Sequence, residues 1–485
     1  MDAVKNWIDK SSNYSEPHRP RFHFTPPSQW MNDPNGLIYV DGVYHLFYQY
    51  NPNANTWGDI HWGHATSTDL VHWTHHAPAL FPDPKGLGVV ASGSAVVDHN
   101  NSSQKQRGQH PVLVALFSHF PPDGRQVQSA AFSHDQGRTW TMHSGNPILV
   151  EDSLQDFRDP KVFWYEPDNR WVMVIAAKDR VLLYTSTGLL QWTRRAEFAP
   201  GGAAAEGMWE CPDLFPLSIG DVTKWVLLVS VQQSGPSGGS AMQYFIGQFD
   251  GTRFVADDLP APLWLDFGTD CYAGVSWSNL PNDERTIIAW MSSWRYADRV
   301  PTTVWRGAMT LPRRLSLTKT REGIRLRCVP VPQLQKLRQS PIAIDAGRGD
   351  LPEQSAEVRF QVKSSTASPL QDTHITLKSA AGDALRINVN ISTKSLVVDR
   401  RDAVGRTEIL QQTIQAPIPE DVLTSKTLEG VIFVDQSSVE IFLGDGLLCA
   451  TALVFPEAPL RRFEAGTGDN TSIAITAYPL RSIWD

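Results

Sequence analysis

Short runs in which apolar and polar residues alternate fill the chain from residue 22 to about residue 327, with clusters of Gly, Pro, Asn and Asp between them. Segments 43–48, 111–118, 171–176 and 225–231 are typical. A period of two marks strands, and the residues between them tolerate tight turns. Few windows space apolar residues at helical intervals, so the pattern predicts an all-β chain. After Leu311-Pro312-Arg313-Arg314 the texture changes. Residues 328–339, with Pro330 and Pro332 leading into Gln333-Leu334-Gln335-Lys336-Leu337, read as a linker holding one helical turn. Alternating segments at 356–362, 374–378, 384–391, 396–399 and 430–443 follow, the pattern of an antiparallel β-sandwich.

Within the first region one short pattern recurs. Ser67-Thr68-Asp69-Leu70-Val71-His72-Trp73, Ser133-His134-Asp135-Gln136-Gly137-Arg138-Thr139-Trp140 and Ser186-Thr187-Gly188-Leu189-Leu190-Gln191-Trp192 each run from Ser through Asp or Gly to Trp. The serines stand 66 and 53 residues apart, and Gln248-Phe249-Asp250-Gly251-Thr252-Arg253-Phe254 continues the series. A repeat of this length built from four short strands is what a β-propeller blade looks like. Asp33, Ser92, Asp159, Glu210 and Asp270 keep the same beat, with steps of 59, 67, 51 and 60 residues. If each opens the inner strand of a blade, five blades aim these side chains at one central cavity. The expected architecture is therefore a five-bladed β-propeller over 16–327, the linker over 328–339, and a β-sandwich over 340–485.

Composition narrows the function classes. With 41% hydrophobic and 10% aromatic residues the 485-residue chain is globular and long enough for more than one core. A net charge of −8 without long acidic or basic runs argues against nucleic acid as a partner. No apolar run is long enough to cross a membrane. Cys211, Cys271, Cys328 and Cys449 lie far apart, form no metal-ligand spacing, and read as reduced thiols. His61 and His64 lack a third clustered ligand, so neither a metal nor another cofactor is expected. Residues 1–15 are polar and carry no apolar leader core. A cytoplasmic protein and an extracellular one whose leader has been removed both fit that start. Nothing in the sequence specifies an oligomeric state.

The candidate chemistry begins at Trp30-Met31-Asn32-Asp33-Pro34-Asn35-Gly36, which reads as a tight turn presenting Asp33 ahead of the strand-like run 37–40. Gln49, Trp57, His61 and Trp62 follow, alternating polar groups with aromatic faces as a sugar pocket needs. Further on come Arg158-Asp159-Pro160-Lys161 and Trp209-Glu210-Cys211-Pro212-Asp213. Taken in this order the three motifs resemble the β-fructosidases of glycoside hydrolase family 32, the invertases, levanases and exo-inulinases. The resemblance runs from about His23 to the C-terminus, where Val434-Asp435-Gln436-Ser437-Ser438-Val439-Glu440-Ile441-Phe442 is similar to a strand of that family's sandwich.

The resemblance implies a retaining exo-hydrolase that releases terminal fructose from sucrose or β-fructans. Asp33 falls at the family's nucleophile position, Glu210 at its acid/base position, and Asp159 at the carboxylate that holds fructosyl hydroxyls and stabilises the transition state. Trp209 and Cys211-Pro212 give Glu210 an apolar sequence neighbourhood, of the kind that keeps a carboxyl protonated. Arg158 is placed to hold a carboxylate or hydroxyl by charge-assisted bonds. Asn32, Gln49, Trp57, Ser92, Asp270, Tyr272 and Trp294 fall at substrate-binding positions, Trp294 as the pocket floor. Two departures stand out, Ala91 where many relatives carry Phe and Cys271 where an aromatic is common. Glu440 is expected to be structural. A fructosyltransferase and a non-catalytic fructan-binding protein are the competing readings; the intact set of three carboxylates argues against a silent binder.

Overall fold

The computed structural model describes residues 14–484, apart from 84–85, 202–205, 258–260, 345–346, 365–368, 406 and 424–425. Most of the polar N-terminal stretch considered above lies outside these residues. Five antiparallel sheets follow one another along the chain, then two six-stranded sheets. Blades I to V open with the inner strands Gln29–Val40, Val89–Asp98, Phe157–Tyr165, Trp209–Ile219 and Tyr272–Ser276. Each inner strand packs against the next and the fifth against the first, which closes the ring of a five-bladed propeller. Ser278 stitches the closure by backbone bonds to Leu37 and Tyr39, and Trp305–Arg306 adds a short parallel pairing to the start of blade I.

The recurring Ser-to-Trp pattern occupies one structural place. In blades I, II and III it forms the connection between the third and fourth strands, and the Asp250 turn does so in blade IV. Its polar residues act on the backbone: Ser67 Oγ accepts from the Asp69 and Leu70 amides, Ser186 Oγ from Gly188 and Leu189, and Asp250 Oδ1 from Thr252 and Arg253. The turns thus carry their own hydrogen bonds, which is why so short a signal survives in the sequence.

What positions the site is an irregularity shared by all five inner strands. Each slips register by one residue against its neighbour, between Met31 and Pro34, Val90 and Gly93, Arg158 and Lys161, Glu210 and Asp213, and Tyr272 and Val275. These are β-bulges, which kink a strand and re-aim the side chains at the kink. Three hold proline, Pro34, Pro160 and Pro212, which has no amide hydrogen to give to a ladder. Asp159, Cys211 and Ala273 take left-handed φ values of 66°, 46° and 54° at the same place. Residues 30–36 are not a turn before a strand but part of the twelve-residue strand Gln29–Val40, broken by two bulges. Gly36 makes the second break possible, with φ +53° and the Trp62 and Phe47 rings where a Cβ would stand.

The C-terminal sheets form the sandwich, with an aliphatic core that includes Val358, Ile375, Leu385, Ile432 and Ile441. The expected helical turn is the 3-10 helix Pro332–Leu337. Glu440 is fully buried where sandwich meets propeller; it accepts from Arg313, the Leu311 amide and His23, and His23 also contacts Asp435. Removing charges from water is costly unless every one is paired, and here Arg313 is shared between Glu440 and Asp266.

Candidate active site

Asp33, Asp159 and Glu210 leave the bulges of blades I, III and IV and reach one cavity of about 230 Å³. Gln49, Trp57, Phe120, Gln126, Asp156, Arg158, Gln232 and Trp294 complete its walls. Cys211 Sγ lies 3.5 Å from Asp33 Oδ2 and 3.7 Å from Asp159 Oδ2, so these two carboxyls face each other across one thiol. Arg158 Nε lies 3.1 Å from Glu210 Oε1 and 4.0 Å from Asp159 Oδ2, which ties the second pair.

Neutral donors surround Asp33. Its Oδ1 accepts from Asn32 Nδ2 at 3.0 Å, and its Oδ2 from Ser92 Oγ at 2.6 Å and Gln49 Nε2 at 3.1 Å. Gln49 is itself fixed by Trp57, whose indole N–H reaches its Oε1 at 3.1 Å, and Asn32 by the indole of Trp30. Burial and the charge of Glu210 push the Asp33 carboxyl up from 3.8 to about 6, against the pull of these hydrogen bonds. Burial likewise raises Asp159 to about 7; Arg158 opposes the shift, while Glu210 and Asp33 add to it. Asp33 and Asp159, facing each other across one thiol, therefore hold protons nearer neutrality than ordinary carboxyls do. Burial works against the charge on Arg158, but Glu210 and Asp159 outweigh it and hold the guanidinium protonated. Burial pushes the Cys211 thiol well up, so it remains an S–H donor to the carboxylates.

The surroundings of Glu210 differ from the sequence expectation. Alternation along the strand sends Trp209 to the opposite face, into the core with Phe198 and Phe245. Arg158 takes one oxygen of the carboxyl and the Tyr272 hydroxyl donates to the other. Glu210 therefore sits between a cation and a phenol, not against an apolar wall.

Asp33, Asp159, Glu210, Gln49, Trp57, Arg158 and Trp294 line the cavity as expected from their motifs. Asn32, Ser92 and Tyr272 stand behind it: their polar groups contact Asp33 or Glu210 and do not line the opening. Asp270 is placed elsewhere altogether. It is fully buried at the sandwich, in an ion pair with Arg400 2.8 Å away, because it precedes the blade V bulge and does not lie within it. Phe120, Gln126, Asp156 and Gln232 were missed. They lie at strand ends or between strands, outside any motif, and only the ring of blades gathers them. Among the described residues no cluster of His, Cys, Asp and Glu is arranged to hold a metal ion.

A pair of carboxyls with a supporting third, on a small cavity walled by Trp57, Phe120 and Trp294, is the constellation of a glycoside hydrolase. The comparisons give the family. The N-terminal domain of glycosyl hydrolases family 32 matches residues 23–330 and the family's C-terminal domain matches residues 332–479. The chain is 44% identical over 504 residues to a levanase of Bacillus subtilis, covering 98% of this chain and 72% of that one. The crystal structure of exo-inulinase from Aspergillus awamori superposes with a TM-score of 0.89 at 32% identity, covering 97% of this chain and 100% of the other. A β-fructofuranosidase from Schwanniomyces occidentalis, complexed with fructosyl-erythritol, superposes at 0.87 with 31% identity over 97% and 99% of the two chains. The chain belongs to glycosyl hydrolases family 32 and is a glycoside hydrolase.

Proposed function

We propose that Asp33 is the nucleophile, Glu210 the acid/base and Asp159 the transition-state stabiliser of an exo-acting, retaining β-fructosidase. This chain hydrolyses β-fructofuranosyl bonds of sucrose, of β-fructans or of both, in keeping with its levanase and exo-inulinase relatives. The observation that carries the assignment of roles is the convergence of the three motif carboxyls, from three blades, on one small cavity. Cys211 bridges Asp33 and Asp159, and Arg158 bridges Asp159 and Glu210, so the three groups that the roles require meet at one site.

The terminal fructosyl ring enters the cavity. Asp33 attacks the anomeric carbon as Glu210 gives its proton to the departing oxygen, and a fructosyl ester on Asp33 results. Glu210, now ionised, takes a proton from water, which opens the ester with net retention. Asp159 accepts hydrogen bonds from ring hydroxyls, and these strengthen as positive charge develops on the sugar. Sugar in place of water as acceptor would make the same site a transferase. The test is to incubate with sucrose, inulin and levan in turn and resolve the products. Free fructose from each chain end supports the reading, longer oligosaccharides support transfer, and no product refutes both.

A further inference from the structure

We infer that the β-sandwich takes part in catalysis by holding the acid/base carboxyl in place: Arg400 is a positioning residue for Glu210, acting through Asp270 and Tyr272. The inference rests on the assignment of Glu210 as acid/base.

Residues 266–270 of the propeller are laid along the sandwich strand Leu448–Leu453. Asp266 accepts from the Thr451 amide at 2.8 Å, the Thr451 hydroxyl at 2.6 Å and Arg313 at 2.8 Å. The Phe267 amide reaches the Cys449 carbonyl at 2.8 Å. At Gly268 the approach is so close that a Cβ would stand 1.9 Å from the Thr451 carbonyl oxygen. The strip ends at Asp270, whose Oδ2 accepts from the Leu453 amide at 2.9 Å and Arg400 Nη1 at 2.8 Å, and whose Oδ1 accepts from the Tyr296 hydroxyl at 2.6 Å. Arg400 Nη2 holds the neighbouring Thr269 hydroxyl at 3.0 Å.

One residue, the buried Cys271, separates this anchor from Tyr272, which opens the inner strand of blade V. The Tyr272 ring is buried edge-on to Trp290, and its hydroxyl donates to Glu210 Oε2. Arg158 occupies the other oxygen, so Tyr272 fixes where the second oxygen points. A docking strip that only joined two domains would have no reason to end on the residue pair feeding the acid. Misplacement by about 1 Å at a reacting group costs up to about 10²-fold, so slack at Asp270 should be legible in the rate.

The experiment uses the full chain with Asp270→Asn, Arg400→Lys, Tyr272→Phe, the double variant Asp270→Asn/Tyr272→Phe, and Asp266→Asn as a docking control. Single-turnover rates are read on sucrose and on an activated aryl fructoside, which needs little acid assistance. Asp270→Asn, Arg400→Lys and Tyr272→Phe should each slow the first step on sucrose about tenfold or more and the aryl fructoside less than about twofold. The double variant should be no slower than Tyr272→Phe, because both changes act through one hydroxyl. Asp266→Asn should lower the melting temperature and leave the substrate ratio unchanged. Arg400→Lys keeps a cation over Asp270 and carries the test if Asp270→Asn does not fold. Equal losses on both substrates, multiplicative losses in the double variant, or the same ratio change in Asp266→Asn would overturn the inference. Glu210→Gln is run alongside: if it too loses equally on both substrates, the assignment of the acid has failed; if it alone discriminates, only the positioning role has.

Discussion

Asp33→Asn is expected to change stability in a way that depends on pH. The folded protein raises this carboxyl from 3.8 to about 6, so ionising it in place is disfavoured by about 2 units, or about 3 kcal/mol at 1.36 kcal/mol per unit. The penalty is absent below the unfolded value of 3.8, grows as pH rises from there to about 6, and is complete above it. Asn cannot ionise and escapes it. Against that gain stands a mismatch, since Ser92, Gln49 and Cys211 all donate to Oδ2 while Asn32 donates to Oδ1, and the amide must turn an N–H toward one side. A buried polar group facing the wrong partner costs about 1–3 kcal/mol, whatever the pH.

The mismatch therefore cancels when two pH values are compared. Urea unfolding of the wild type and Asp33→Asn, followed by circular dichroism at pH 4 and pH 7, isolates the titration. The variant should gain about 2–2.5 kcal/mol relative to wild type between pH 4 and pH 7, passing from less stable to comparable or more stable. A stability difference that is the same at both pH values would refute the account of a strained nucleophile.

Asp159→Asn should lower kcat on sucrose by about 10²-fold or more with an unchanged circular dichroism spectrum, because hydrogen bonds that strengthen in the transition state are worth several kcal/mol; near-normal turnover would reduce Asp159 to a structural role. Gly36→Ala forces a Cβ 2.6 Å from the Trp62 ring at φ +53°, and should destabilise the propeller by about 3 kcal/mol in urea titration. Arg313→Met leaves the buried Asp266 without its cation and Glu440 with His23 alone, and should cost about 3–5 kcal/mol, read as a lowered unfolding midpoint.

Much of the architecture was legible in the sequence because its signals are local. The Ser67, Ser133, Ser186 and Asp250 turns satisfy their own backbone groups, so their residues recur and betray the blade period. The four-step spacing from Asp33 to Asp270 was visible for a related reason, since each blade enters the axis once. That same regularity misled at Asp270. The true bulge of blade V falls at Ala273-Gly274, and the spacing could not separate a side chain in the kink from one just before it. Nor did chain neighbours reveal the setting of Glu210. Trp209 points away along the strand, and the partners that matter, Arg158 and Tyr272, come from blades III and V. Phe120, Gln126 and Gln232 left no motif because they wall the cavity without chemistry that demands particular neighbours.

The central claim is the division of labour between Asp33 and Glu210, and one trapping measurement tests it. Glu210→Ala and Asp33→Ala are each given an activated aryl fructoside, with and without azide, and the protein is digested for mass spectrometry. With Glu210→Ala a fructosyl adduct should accumulate on the peptide containing Asp33, since no base remains to activate water, and azide should clear it by releasing a fructosyl azide. Asp33→Ala should give neither adduct nor a fast first step. An adduct on Glu210 in the Asp33→Ala protein, or azide acceleration confined to that variant, would contradict the assignment.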